Sequence, residues 1–511
     1  MRLLPPIALR RLSRVLAGPA PRTFVSSATR RNVQPSPRTP PAGKAPPAGG
    51  PRSQLPSIPE VGSEEIIVRD GKEVVLRTFQ HPRSSLGKSQ MTTLEHTLPA
   101  RAHLHETQLS LARDTERPFY LPYYYLRDLC KCPQCVDPHS NQRSFRTHDI
   151  HTSIHPRRVT WDGKDLEIQW NNDIDGYERE HTSRWPYRYL RDPINNTHDS
   201  THPNMKRFLW NAADMEKYQH WISYEDYMHS NKKFTRAMKS LSSLGLIFVK
   251  DIPSSREMVE KIATRMGPLR NSFYGSTWDV RTVPQAKNVA YTNQHLGFHM
   301  DLLYMNEPPA YQLLHCLENS CEGGESLFAD AFNVADRMKR ELYRDYKVLL
   351  MKKVGYEYVH EDSIYHNTWP VFERDPITKH LRNVNYSPPF QSAIPTSERP
   401  DGRGQTLEGF SPFKRAMTRF TQDLESKESV FQLKLNPGEC AIFANRRVVH
   451  ARNKFNTTNG SRWLAGAYVD EDAMLSRFAV CRKNDLDAWI QSDPRVINDL
   501  MPHKARKRSS D

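Results

Sequence analysis

The sequence predicts a mainly β chain with flanking helices: a double-stranded β-helix, or jelly roll, in the carboxy-terminal part and a small β-rich domain ahead of it, organised on cysteines. Three observations carry this expectation. Short apolar runs separated by Gly, Pro and Asn recur from Leu246 onward, as in LGLIFVKDIP, AYQLLHC and NPGECAIFA. Stretches of helical periodicity, NVADRMKRELYRDY and SPFKRAMTRFTQDLESKES, fall between these runs. Cys130, Cys132 and Cys135 lie within six residues, whereas the other four of the seven cysteines are scattered.

The 511 residues suit two to four domains and can bury a sizeable core. A hydrophobic content of 37% and a mean hydropathy of −0.73 imply long unstructured segments. The net charge of +15 is unevenly placed. No Asp or Glu precedes Glu60, and that segment carries nine arginines and Lys44, so +15 − 10 leaves only +5 for the rest. Nucleic-acid binding therefore loses its electrostatic basis.

Residues 1–31 are Arg-rich, Ser-containing and acid-free, and their apolar stretches are too short for a membrane span. This is the character of a mitochondrial presequence at 1–24, cut after Phe24, and predicts a matrix protein with no membrane span. Residues 25–60 are rich in Pro, Ala, Gly and Ser and read as a disordered linker. Next, EEIIVRDGKEVVLRTF predicts a hairpin around Asp70-Gly71. It opens a domain over 61–200 that ends at the polar, turn-rich Arg191–Asn204. A second domain over 205–490 contains a helix in SNKKFTRAMKSLSSLG, a buried strand in LGLIFVKDIP and a capped helix from Ser255 to Gly267. Residues 491–511 form a polar tail.

Three thiolates spaced C-x-C-x-x-C can share one zinc ion, which needs a fourth tetrahedral ligand. His139, His148, His151 and His181 are the candidates. A zinc there would supply much of the small domain's stability.

The other chemistry-bearing segment is NVAYTNQHLGFHMDLLYMNEPPAYQLLHC, which holds His299-Met300-Asp301 between strand-like runs. One imidazole and one carboxylate two residues apart can reach the same ion, and a distal histidine would complete the two-histidine, one-carboxylate set of non-haem iron sites. His450, expected shortly beyond the strand AIFA, supplies it at a separation of 450 − 299 = 151 residues. A second H-x-D, His360-Glu361-Asp362, sits in a polar stretch and reads as a solvated loop.

With these segments in hand, the chain from about Leu121 to Ala479 resembles the gamma-butyrobetaine and trimethyllysine dioxygenases of carnitine biosynthesis. LRDLCKCPQCVDPH, FYGSTW, NVAYT, FHMD, QLLHC, GGES, NRRVVHAR and SRWLAGAYVD stand in family order. The resemblance implies Fe(II) on His299, Asp301 and His450, 2-oxoglutarate as co-substrate with its far carboxylate on Arg462 and Ser326, ascorbate as the accompanying cofactor, and His181 as the fourth zinc ligand. It places Tyr274, Trp278, Tyr291 and Tyr468 around a trimethylammonium group, which offers no N–H and is held by aromatic faces. Asn288 and Asn385 would meet the substrate's carboxylate end. O2 is the other small-molecule partner, and the resemblance suggests a homodimer.

SRWLAGAYVD and QLLHCLENSCEGGES look closer to the gamma-butyrobetaine enzyme, so hydroxylation of gamma-butyrobetaine to L-carnitine is the preferred expectation. Trimethyllysine 3-hydroxylation is the alternative. From another class comes a non-catalytic binder of quaternary ammonium compounds, against which stands the retention of all three metal ligands and Arg462. Residues 61–120 are longer and less family-like than a typical amino-terminal region of this family, a departure that leaves room for a changed substrate.

Overall fold

The computed structural model describes residues 60–80, 91–177, 180–191, 207–281, 293–376, 379–393, 410–456, 458 and 460–490. The expected presequence, linker, carboxy-terminal tail and domain boundary near 200 lie outside them.

The hairpin at Asp70-Gly71 forms as expected, with strands Glu60–Arg69 and Lys72–Gln80. Both turn residues have positive φ, 50° and 73°, the geometry that the twist of two-residue hairpins favours. These strands belong to a six-stranded sheet that continues through Met91–Thr97, His155–Trp161, Asp165–Asn171 and Thr182–Pro186. Alternation in Asp165–Asn171 turns Leu166, Ile168 and Trp170 inward, where they join Trp161 and Trp185 in the core. The less family-like residues thus add the sheet's first strands and are built into it.

From Phe208 onward the β structure is a double sheet, as expected. Six strands run in the order Trp221–Ser223, Leu246–Lys250, Cys440–Ala444, Tyr311–Asn319, Arg462–Val469, Thr277–Arg281. Four more run Leu296–His299, Val448–Arg452, Ser326–Asp330, Phe431–Leu433. Among the described residues, no strand pairing joins this part to residues 60–191.

The helix Asn231–Leu244 is capped by Ser230, whose side chain accepts from the Lys233 N–H, and stops at Gly245 with φ 74°. It buries Phe234, Ala237, Met238 and Leu241 at i, i+3, i+4 and i+7.

Three expectations shift. The helix placed at Ser255–Gly267 begins at Met258, because Pro253 and Ser255 form a turn in which the Met258 N–H donates to the Ser255 carbonyl. NVADRMKRELYRDY is two helices, Ala331–Glu341 and Tyr343–Met351, broken at Leu342 (φ −127°, ψ 45°), so that Met338, Tyr346 and Leu349 all reach one core. His450 lies inside a strand of its own, since the chain turns sharply after Ala444 and re-enters the other sheet. The second H-x-D is the turn of the hairpin Lys353–His360/Ser363–Pro370, with Glu361 and Asp362 exposed.

Candidate active site and metal centres

Sheet register sets two members of the triad face to face. Leu296–His299 runs antiparallel to Val448–Arg452 with His299 directly opposite His450, and their ring centroids are 4.2 Å apart. His299 Nδ1 donates to the Gly297 carbonyl at 2.9 Å, which fixes the tautomer that offers Nε2 to an ion. Asp301 follows two residues past the strand, where the chain bends at Leu302 with φ 60°, a costly conformation for leucine. Asn445 holds that bend. Its Oδ1 accepts from the Asp301 N–H at 2.8 Å, and its Nδ2 donates to the Asp301 and Pro309 carbonyls at 3.0 and 2.9 Å.

Asp301 Oδ1 is then 3.3 Å from His299 Nε2 and 4.0 Å from His450 Nε2, and one ligand atom from each residue lies within 4.8 Å of the others. Burial, reinforced by His299, pushes the His450 imidazole down to about 3, so its lone pair is available at neutral pH. Burial alone would raise the Asp301 carboxyl, but His299, His450 and the Tyr468 hydroxyl outweigh it and hold the group well below the usual carboxylate range. Two imidazoles and one carboxylate on one side of a cavity fit a ferrous ion with open positions.

The triad opens into a cleft that is partly open to solvent. Arg462 enters it from the first residue of its strand, 8% exposed, with its Nε–H lacking an acceptor among the described residues. Burial pushes its guanidinium down to about 10. A buried cation with spare donors fits a carboxylate ligand. The GGES turn is shaped around it: Gly324 has φ 73°, and a Cβ there would come within 3.2 Å of the Arg462 side chain. Ser326 begins the next strand and lines the same cleft. Arg452, opposite Ser326 in the sheet, brings a second guanidinium that sequence reasoning missed. Its signal was available, because alternate strand residues share a face and Arg452 is two beyond His450.

Tyr274, Trp278 and Tyr468 line the cleft, while Asn288 and Tyr291 lie outside the described residues. Trp278 and Tyr468 are stacked, with centroids 3.9 Å apart, and make one wall instead of two. Gly466 permits this, because a Cβ would sit 2.4 Å from the Trp278 ring. Tyr304 and Phe390 extend the aromatic lining and were not anticipated. Asn385 is a correction. It is fully buried away from the cleft, its Nδ2 donating to the Pro370 carbonyl at 2.7 Å and its Oδ1 accepting from Arg446, so its amide is already committed.

The cysteine cluster closes on His181, whose Nε2 is 3.6, 3.3 and 3.3 Å from the sulfurs of Cys130, Cys132 and Cys135. These four form a ligand set of the kind zinc takes. His139, His148 and His151 stay exposed. Asp173, missed in the sequence, accepts from His181 Nδ1 at 2.6 Å and from the fully buried Arg127, which also donates to Cys135 Sγ at 3.3 Å. That carboxylate orients the imidazole toward the sulfurs.

Comparison with known proteins agrees with this geometry. The family described as taurine catabolism dioxygenase TauD, TfdA family, matches residues 214–468, and gamma-butyrobetaine hydroxylase-like, N-terminal, matches 100–191. Dioxygenase str8 of Strobilurus tenacellus is 31% identical over 378 residues, covering 71% of this chain and 85% of that protein. Gamma-butyrobetaine dioxygenase of Homo sapiens is 28% identical, covering 72% and 93%. Mitochondrial trimethyllysine dioxygenase of Homo sapiens is 26% identical, covering 69% and 81%. The chain therefore belongs to the gamma-butyrobetaine and trimethyllysine dioxygenase family and is an Fe(II)- and 2-oxoglutarate-dependent dioxygenase.

Proposed function

We propose that the protein hydroxylates gamma-butyrobetaine to L-carnitine, with His299, Asp301 and His450 holding Fe(II) and with Arg462 and Ser326 holding the far carboxylate of 2-oxoglutarate. The observation that carries this reading is the convergence of the three ligand atoms in a cleft lined by buried guanidinium and by aromatic faces. When bound, ferrous ion and 2-oxoglutarate supply the chemistry that reduces O2, giving succinate, CO2 and a hydroxylated substrate carbon.

The chain's own residues position and shield. Arg462 can present two parallel N–H groups to a carboxylate, and the Ser326 hydroxyl adds a third donor. The faces of Tyr274 and of the Trp278–Tyr468 wall, with Tyr291, attract a trimethylammonium cation through their quadrupoles. Leu296, Leu314, Phe328 and Leu464 line the cleft with apolar surface that excludes water near the reacting carbon. Cys130, Cys132, Cys135 and His181 hold a structural zinc.

Trimethyllysine carries the same cation and fits the same wall, so it is the second substrate to test. Purified protein with Fe(II), ascorbate and 2-oxoglutarate should release succinate with gamma-butyrobetaine and less with trimethyllysine. The reverse order assigns trimethyllysine, and stimulation by neither favours a non-catalytic binder. The Arg-rich, acid-free residues 1–31 support placement in the mitochondrial matrix, and the trimethyllysine relative is named as mitochondrial. Import of a fluorescent fusion, lost on deleting 1–24, tests it.

A further inference from the structure

Asp301 has two carboxylate oxygens, and the proposed triad uses one. Oδ1 faces the histidines, at 3.3 Å from His299 Nε2 and 4.0 Å from His450 Nε2. Oδ2 turns the other way and accepts from the Tyr468 hydroxyl at 2.6 Å. A carboxylate beside a divalent ion binds through one oxygen or chelates through both, and chelation would consume a position that co-substrate or O2 needs.

We propose that Tyr468 is a positioning residue with two ends: its hydroxyl holds Asp301 to one-oxygen ligation, while its ring, stacked on Trp278, forms the wall that meets the substrate's cation. The inference rests on the iron triad proposed above and adds a division of labour within one side chain. Asn445 fixes the backbone of Asp301 on both sides of its Cα, so rotation of the carboxylate is the main freedom left, and Tyr468 removes it.

Tyr468 is itself firmly placed. It pairs with Gln312 across the sheet, its carbonyl accepts from the Arg270 N–H at 2.9 Å, and its ring lies against Trp278 in space that Gly466 leaves open. A plainer account holds that a buried phenol needs some acceptor and takes the nearest one. That account predicts a loss of stability on removing the hydroxyl and no change at the metal.

The test uses the full chain with its zinc site intact and Co(II) as the metal probe. Tyr468→Phe keeps the ring and removes the hydroxyl. It should weaken Co(II) binding about tenfold, the usual effect of losing a group that orients a ligand. It should also shift the visible Co(II) spectrum toward higher coordination, and raise the ratio of succinate to hydroxylated product while the KM for gamma-butyrobetaine stays near wild type. Tyr274→Leu, which removes a cleft-lining ring not stacked on Tyr468, should do the opposite, raising that KM and leaving Co(II) affinity and spectrum unchanged.

Wild-type Co(II) affinity and spectrum in Tyr468→Phe would overturn the proposal. Should that variant fail to fold, 4-fluorophenylalanine at position 468, which fills the hydroxyl's space without a donor, takes its place, and a wild-type Co(II) affinity and spectrum there would overturn the proposal. His299→Ala, run in parallel, separates the two levels. Its loss of Co(II) with an unaffected Tyr468→Phe defeats this inference alone, whereas Co(II) retained by His299→Ala defeats the triad and everything built on it.

Discussion

The two metal-competent sites are assembled in opposite ways. Three of the four members of the Cys130–Cys132–Cys135–His181 cluster come from six consecutive residues, and the fourth is drawn in by a short sheet connection. The histidines of the His299–Asp301–His450 site are 151 positions apart (450 − 299), and the site exists only because two strands pair in one register. The first set is four ligands, three of them soft thiolates, and is complete; the second is three harder ligands and leaves room. A local, complete site can drive folding, whereas a dispersed, incomplete one depends on folding that other contacts have already stabilised.

The sharpest way to break this contrast is to remove one ligand from each site. Cys135→Ser should abolish zinc retention and unfold residues 60–191, since a structural zinc contributes on the order of 10 kcal/mol, comparable to the whole stability of a domain. Limited proteolysis and metal analysis would show it. His299→Ala should drop turnover to background while the melting temperature changes by only a few degrees. If both variants unfold, or neither does, the two sites are not different in kind.

Next in size is Arg462→Lys. The ammonium keeps the charge but loses the planar fork, so about 1.5–3 kcal/mol of charge-assisted hydrogen bonding is at stake. The KM for 2-oxoglutarate should rise about tenfold or more, with the KM for the ammonium substrate little changed. An equal rise in both would place Arg462 outside the 2-oxoglutarate end of the cleft. On the zinc side, Asp173→Asn keeps the shape but removes the charge that orients His181, and zinc affinity in a chelator competition should fall about tenfold.

What the sequence disclosed follows the same division. C-x-C-x-x-C declared itself by residue type and spacing, whereas H-x-D, which occurs twice, and His181, one of four candidate histidines, declared themselves only with the resemblance in hand. The groups that hold the ligands did not. Asn445 acts by hydrogen-bonding the backbone of a residue 144 positions away, and Asp173 acts from a loop, so neither follows from a spacing rule. Arg452 was legible in principle, through strand alternation from His450, but His450 was expected beyond the strand instead of inside one, and the alternation was lost. Asn385 went the other way. The resemblance suggested a substrate contact there, and the fold spends its amide on Arg446 and the Pro370 carbonyl.

The last predicted effect separates the two regions by acid. At the cysteine cluster, protons compete with metal for thiolate and imidazole, so lowering the pH should release zinc. In the double-sheet region the acid-sensitive groups include His220 and His315, which are not in the ligand sets, and burial pushes each down to about 4. His220 bonds the Ser240 hydroxyl at 2.9 Å, and both ring nitrogens of His315 are buried with no hydrogen-bond partner among the described residues. Unfolded, each imidazole takes a proton near pH 6.5. Between pH 6.5 and 4 the unfolded chain therefore binds more protons than the folded one, so this stability is intact above 6.5 and drains as the pH falls toward 4. The loss should approach ~1 kcal/mol per pH unit for each histidine. Thermal unfolding of the double-sheet region from pH 7 to 4.5, followed with His315→Leu alongside, should show a shallower slope in the variant, and chelator should leave that difference untouched. Equal slopes would mean that acid reaches this region by another route, such as protonation of the triad itself.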